Sequence, residues 1–124
     1  MVKKERSQID TGRLGEQIAA KYLMKKKVLI LSRNIQTPYG EIDLIGETDD
    51  CLIFFEVKTR RKKHFGYPES SVHSTKQEHM VNSAIAYLQD NDELERPWRI
   101  DVIAVNLFAS KPPEIKWFKN AIIS

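Results

Sequence analysis

Two apolar runs, "EIDLIGE" (41–47) and "CLIFFEVKTR" (51–60), sit either side of Asp49-Asp50. The second begins as one of the most apolar runs in the chain and ends in alternating charge, and the two read as an antiparallel hairpin. A turn centred between Asp49 and Asp50 sets Ile42 opposite Val57, Leu44 opposite Phe55 and Gly46 opposite Ile53, a wholly apolar face. On the other face Ile45 meets Phe54, Glu41 meets Lys58, and Asp43 meets Glu56. A slip of one residue would set the charges among the apolar residues of the partner strand, so the hydrophobic pattern selects the register. The cost falls on Asp43 and Glu56, like charges with Cβ atoms roughly 5 Å apart. Two arrangements relieve it. A bound hard cation such as Mg²⁺ takes carboxylate oxygens, or Lys58 pairs with Glu41 while both acids splay into water.

The rest of the chain frames this hairpin. Residues 11–27, "TGRLGEQIAAKYLMKKK", read as a helix with Leu14, Ile18, Ala19, Tyr22 and Leu23 on its apolar face and Glu16 near the edge. Residues 28–34 read as a strand and "TPYG" (37–40) as a turn. A basic loop spans 60–70, and a second helix covers about Thr75–Gln89, with Ser74 and Gln77 spaced as a capping box. "WRIDVIAVNL" (98–107) is a strand, and "EIKWF" a short last one after Pro112-Pro113. The order α-β-β-β-α-β-β predicts a mixed β-sheet flanked by helices in one α/β domain over residues 11–124, with 1–10 as a flexible arm.

At 124 residues the chain is long enough for one hydrophobic core. Cys51 is its single cysteine, which excludes an internal disulfide and a multi-cysteine zinc site and points to a reducing compartment. No apolar run resembles a signal peptide or a membrane span, so a cytoplasmic location without membrane contact is expected. Charge is unevenly placed. Residues 1–33 carry nine bases and three acids, 34–57 carry six acids and no base, and 58–64 carry five bases and no acid. Such runs are most often solvated surface. The sharper reading is a cation-seeking pocket rimmed by phosphate-seeking side chains.

Asp43, twelve intervening residues and Glu56-x-Lys58 together resemble the PD-(D/E)xK nuclease signature, with Ile42 in place of its proline. The strings "GRLGEQIAAKYL", "SRN", "YGEIDLIGE", "FFEVKTRR", "FGYPESSV", "AIAYL" and "RIDVIAV", in this order, resemble the YraN-like family of small bacterial proteins from about Gly12 to Val105. That family is distantly similar to archaeal Holliday-junction resolvases, which implies a restriction-endonuclease-like fold. The resemblance also implies Asp43 and Glu56 as metal ligands, joined by the Val57 carbonyl, Lys58 as the catalytic lysine, and Glu16 as the acid on the first helix. Mg²⁺ is the implied ion, with Mn²⁺ able to substitute.

Phosphodiester hydrolysis needs an activated water and neutralised oxygen charge, which a carboxylate-held ion and a lysine supply. Arg60, Arg61, Lys62 and Lys63 follow Lys58 directly and are candidate phosphate contacts, as is Lys76 at the start of the second helix. Solvent exposure accounts for the same residues equally simply. His64, His73 and His79 read as surface residues, and Trp98 and Trp117 as packing. Asp101 reads as an ion-pair partner of Arg99 or Arg33. Two functions remain open: an endonuclease acting on DNA, branched or damaged DNA among its substrates, and a nucleic-acid-binding or partner-binding module on the same fold without turnover. A two-fold junction would need two cuts and so favour a homodimer.

Overall fold

The computed structural model describes residues 2–49, 51–62 and 74–122, with side chains described over 11–49, 51–62 and 78–121. The elements follow the expected order: α1 (Val2–Lys25), β1 (Leu29–Thr37), β2 (Gly40–Glu47), β3 (Leu52–Arg61), α2 (Ser74–Asp90), β4 (Trp98–Leu107) and β5 (Glu114–Ile122). They form one five-stranded sheet in the order β1-β2-β3-β4-β5. Every neighbouring pair is antiparallel except β3 and β4, which run parallel from Leu52↔Trp98 to Arg61↔Leu107. The crossover through α2 makes that parallel pair possible. This is an α/β domain with a mixed five-stranded sheet and two helices, as the sequence predicts.

Each face of the sheet carries one helix. Ala19, Ala20 and Leu23 of α1 pack on Leu44, Ile53, Phe55, Ile103 and Val105. Ala84 and Leu88 of α2 pack on Ile45, Leu52, Phe54, Ile100 and Val102. β3 and β4 are covered on both sides, which is why their sequences are almost continuously apolar. Trp98 meets the Phe54 ring edge-on at 5.9 Å, and Trp117 lies 6.0 Å from Phe55. Both tryptophans are packing residues.

Some boundaries differ from the sequence reading. α1 begins at Val2, so the segment expected to be a loose arm has a helical backbone. Its residues are largely straight-chain helix formers without glycine or proline, but they lack the apolar stripe on which the expectation was based. Leu14, expected on the buried face, is 40% exposed, and Ala20 is buried instead. The contact row on α1 is the small one, Gly15 and Ala19. A Cβ on Gly15 would overlap the Thr59 side chain, so α1 lies directly against β3 there. β5 is longer than expected and extends to Ile122. Lys63, His64 and His73 lie outside the described residues, and so do the side chains of Ser74, Lys76 and Gln77. His79 is exposed as expected.

The hairpin keeps its expected register over Leu44↔Phe55, Ile45↔Phe54, Gly46↔Ile53 and Glu47↔Leu52. The described ladder stops at Leu44, so the directly opposed pairs expected beyond it are not formed. Ile42 does not continue the face of Leu44. It packs with Ile45 on the α2 side. β1 carries a matching irregularity. Asn34 adopts a left-handed backbone, φ 52°, between the paired positions Arg33↔Leu44 and Ile35↔Ile42. Alternation along β2 is therefore reset at Asp43, across from Asn34, while the β1–β2 register stays unbroken there and shifts between Ile30 and Ser32.

Candidate metal centre

The reset opens a gap between β2 and β3, and Asp43 fills it. Its Oδ2 accepts a hydrogen bond from the Val57 backbone N–H at 2.8 Å. A side-chain oxygen thus takes over where the strand ladder ends. Carboxylate oxygens of Glu16, Glu41 and Asp43 all lie within 4.8 Å of one another. Gly15 brings this about for Glu16, because flush packing of α1 on β3 sets the next residue over the gap.

Glu41 was expected opposite Lys58. It instead accepts from Asn34 Nδ2 at 3.1 Å and from Gln36 Nε2 at 2.7 Å. The same Asn34 amide donates to Glu16 Oε1 at 2.9 Å. Glu41 is therefore a member of the acidic cluster that sequence reasoning missed. The signal was present in the i, i+2 spacing of Glu41 and Asp43, which places them on one side of a strand. The ion-pair reading of Glu41 with Lys58 concealed it.

Glu56 is buried, with 8% of its surface exposed, and Lys58 follows it on β3, half-buried. Glu56 is near enough to act on Asp43. Burial first, and then the Glu56 charge, push the Asp43 carboxyl from an ordinary 3.8 up to about 7; the Val57 amide works against this, and Glu16 and Glu41 add to it. Like charge has been gathered around a desolvated acid, which marks a site better than it marks a structural ion pair.

The cationic candidates lie further along β3. Arg60 and Arg61 are exposed strand residues, not loop residues, and Arg61 Nε donates to Thr11 Oγ1 at 2.9 Å. The Lys62 backbone N–H donates to the Leu107 carbonyl at 2.9 Å. Asp101, given no catalytic role, is fully buried and held by Arg99 Nε at 3.0 and 3.2 Å, as expected. Trp117 Nε1 at 2.8 Å and the Asn120 N–H at 2.7 Å complete its shell. Arg33 has no part in that network. No helix among the described residues is long and apolar enough to cross a membrane.

Residues 15–105, most of the chain, match the Uncharacterised protein family UPF0102. A UPF0102 protein of Dehalococcoides mccartyi is 39% identical over 114 residues, covering 91% of this chain and 93% of its own length. A UPF0102 protein of Syntrophotalea carbinolica is 46% identical over 99 residues, covering 78% and 79%. One from Francisella tularensis subsp. novicida is 40% identical over 115 residues, covering 91% and 94%. The matched segment spans the helix that carries Glu16, the β1–β2–β3 gap and the Asp101 strand, and on this ground the chain belongs to the UPF0102 family.

Proposed function

We propose that this protein is a divalent-metal-dependent endonuclease that hydrolyses phosphodiester bonds in DNA, with branched or damaged DNA as its substrate class. The observation that carries the reading is the convergence of Glu16, Glu41 and Asp43 beside buried Glu56, at a point where Asp43 is already held up to about 7. The donor set fits a hard cation. All the side-chain ligands offered are carboxylate oxygens, and two oxygens on one Mg²⁺ lie at most about 4.2 Å apart. The spacing within 4.8 Å is therefore a small adjustment from coordination.

Asp43, Glu56 and Glu16 would hold Mg²⁺ or Mn²⁺, with Glu41 and the Val57 carbonyl as further oxygens. The ion would supply Lewis-acid polarisation of the phosphate and a lower pKa for a bound water. The Val57 amide fixes the Asp43 carboxylate, so that one oxygen is anchored and the other is left to face a ligand. Lys58 donates to the attacking water or to the phosphate oxygens as their charge grows. Arg60, Arg61, Lys62 and Lys63 meet flanking phosphates, and Lys76 adds a cation near the start of α2.

The test is a cleavage assay on junction, flap, single-stranded and duplex DNA, with Mg²⁺, Mn²⁺ or EDTA. Metal-dependent cutting of at least one substrate that vanishes with EDTA supports the reading. Salt-sensitive DNA binding without cutting under any metal would replace it with the binding-module reading.

A further inference from the structure

We infer that Asn34 is a positioning residue, a neutral clamp that sets Glu16 and Glu41 at the spacing a divalent cation needs. The inference rests on the metal-site reading above and assigns a role that reading does not contain. One side-chain nitrogen bridges two elements. Asn34 Nδ2 lies 2.9 Å from Glu16 Oε1 on α1 and 3.1 Å from Glu41 Oε1 on β2. The orientation of the amide follows from chemistry. Both partners are carboxylates and only accept, so the NH₂ end must face them, and its two hydrogens serve one acid each.

The backbone explains how the amide reaches that position. Residue 34 sits at φ 52°, the left-handed region that excludes most side chains and that asparagine tolerates. Regular strand geometry at this position would send the side chain elsewhere. Asn34 lies between the paired positions Arg33↔Leu44 and Ile35↔Ile42, across the ladder from Asp43, and its amide reaches Glu16 and Glu41 beside that residue.

Neutrality is the functional point. Lysine or arginine at 34 would also hold two carboxylates together, but it would cancel the charge that attracts a cation. An amide lowers the repulsion between Glu16 and Glu41 through hydrogen bonds and leaves their net charge intact. Gln36 Nε2 does the same for the other oxygen of Glu41. Metal ligands held in this way by outer hydrogen bonds typically lose about ten- to hundredfold in affinity when the partner is removed.

The test is Mn²⁺ binding by calorimetry to the parent and to Asn34→Gly. Glycine accepts the left-handed backbone, so this variant removes the amide and spares the conformation. The expected result is a folded variant whose Mn²⁺ affinity falls about ten- to hundredfold. Equal affinity in parent and variant would overturn the clamp while leaving the metal reading in place, since asparagine would then be present only for its backbone tolerance. A parent that binds no Mn²⁺ would overturn both. A second measurement needs no variant. In the ¹⁵N–¹H spectrum of the parent, the Asn34 side-chain NH₂ pair should shift on Mg²⁺ titration and saturate with the binding isotherm. Signals that stay fixed through saturation would overturn the clamp even if Asn34→Gly fails to fold.

Discussion

Asp43 on β2 and Asp101 on β4 are carboxylates set into one sheet with β3 between them. Around Asp101 the fold has gathered donors: the Arg99 guanidinium, the Trp117 indole N–H and the Asn120 amide, with no part of the residue exposed. Around Asp43 it has gathered acids, and among the described residues one backbone amide answers the half-buried carboxylate. Burial of a charge is tolerated when it is paired and hydrogen-bonded, and is costly otherwise. Asp101 obeys that rule and ties β4 to β5. Asp43 strains against it, and its neighbours Glu16 and Glu41 are held by neutral amides. One carboxylate serves the fold, and the other, on the reading proposed above, serves a bound cation.

Exchanging the two roles gives the largest effects. Asp43→Asn keeps the shape of the side chain and removes a charge that its surroundings oppose. Metal-dependent cleavage should fall at least about a thousandfold, some 4 kcal/mol in the barrier, while thermal melts of the metal-free protein show equal or higher stability. Asp101→Ala should do the reverse. It strands a guanidinium and two N–H donors and should cost about 3–5 kcal/mol of stability, with metal affinity unchanged in the protein that remains folded. If Asp43→Asn melts as low as Asp101→Ala, the two sites are both structural and the contrast fails.

Lys58→Ala separates ligand from catalyst within the first site. A lysine that acts on the water or on transition-state charge should leave Mn²⁺ affinity intact and lower the cleavage rate about a hundredfold. Calorimetry beside single-turnover kinetics checks this, and a matched fall in both would make Lys58 part of the metal-binding set. Gly15→Ala should act next most strongly. The added methyl meets Thr59, so α1 must lift from β3, at about 1–3 kcal/mol in stability. Glu16 should move with it, weakening Mn²⁺ binding. A melt unchanged from the parent would show that the helix does not depend on that close contact.

The asymmetry between the two sites also decides what the sequence could reveal. The element order, the strand 98–107 and the register from Leu44 to Glu47 all follow from apolar patterning, which is strong wherever a face is buried. Asp101 was readable as a partner of Arg99 because i, i+2 neighbours share a strand face. The Trp117 and Asn120 contacts were not, since they depend on the bulged β4–β5 register around Ile100 and Val102. At Asp43 periodicity itself failed. Extending the alternation past Leu44 predicted Ile42 against Val57 and Glu41 against Lys58, and the reset at Asp43, across from Asn34, undid both. A single left-handed residue leaves little trace in a hydrophobic pattern, so the residues that define the gap were named while their arrangement was not.

The pH dependence should distinguish the two carboxylates as well. The Asp43 carboxyl binds its proton more tightly in the folded protein, at about 7, than at the ordinary value of 3.8. Between these values the folded state holds more protons than the unfolded state, so the metal-free protein loses stability as pH rises from about 4 to 7. The full shift corresponds to about 4 kcal/mol, and water around a half-buried group reduces the expectation to about 2 kcal/mol. Asp43→Asn should flatten that slope. In the parent, Mg²⁺ should displace the proton, so affinity climbs with pH and levels off above about 7. Denaturation at a series of pH values, with and without Mg²⁺, checks both signs. A metal-free protein that gains stability across this window would refute the assignment.

The smallest effect tests whether Asp43 has a concealed counterpart to Arg99. Arg60 and Arg61 stand on the same strand as Glu56 and are the nearest arginines to it in sequence. Both are exposed, and Arg61 is turned to Thr11 on α1. If they neutralised the acidic gap as Arg99 neutralises Asp101, replacing both with alanine would tighten metal binding by removing a competing charge. If they meet DNA phosphates instead, Mn²⁺ affinity should not change. The slope of log K for DNA binding against log salt should then become shallower by about 1.8, near 0.9 for each lost contact. Extending the substitution to Lys62 and Lys63 should continue the trend in steps of similar size. An unchanged slope would assign these side chains to solvent, and tighter metal binding would make the two carboxylates more alike than their surroundings indicate.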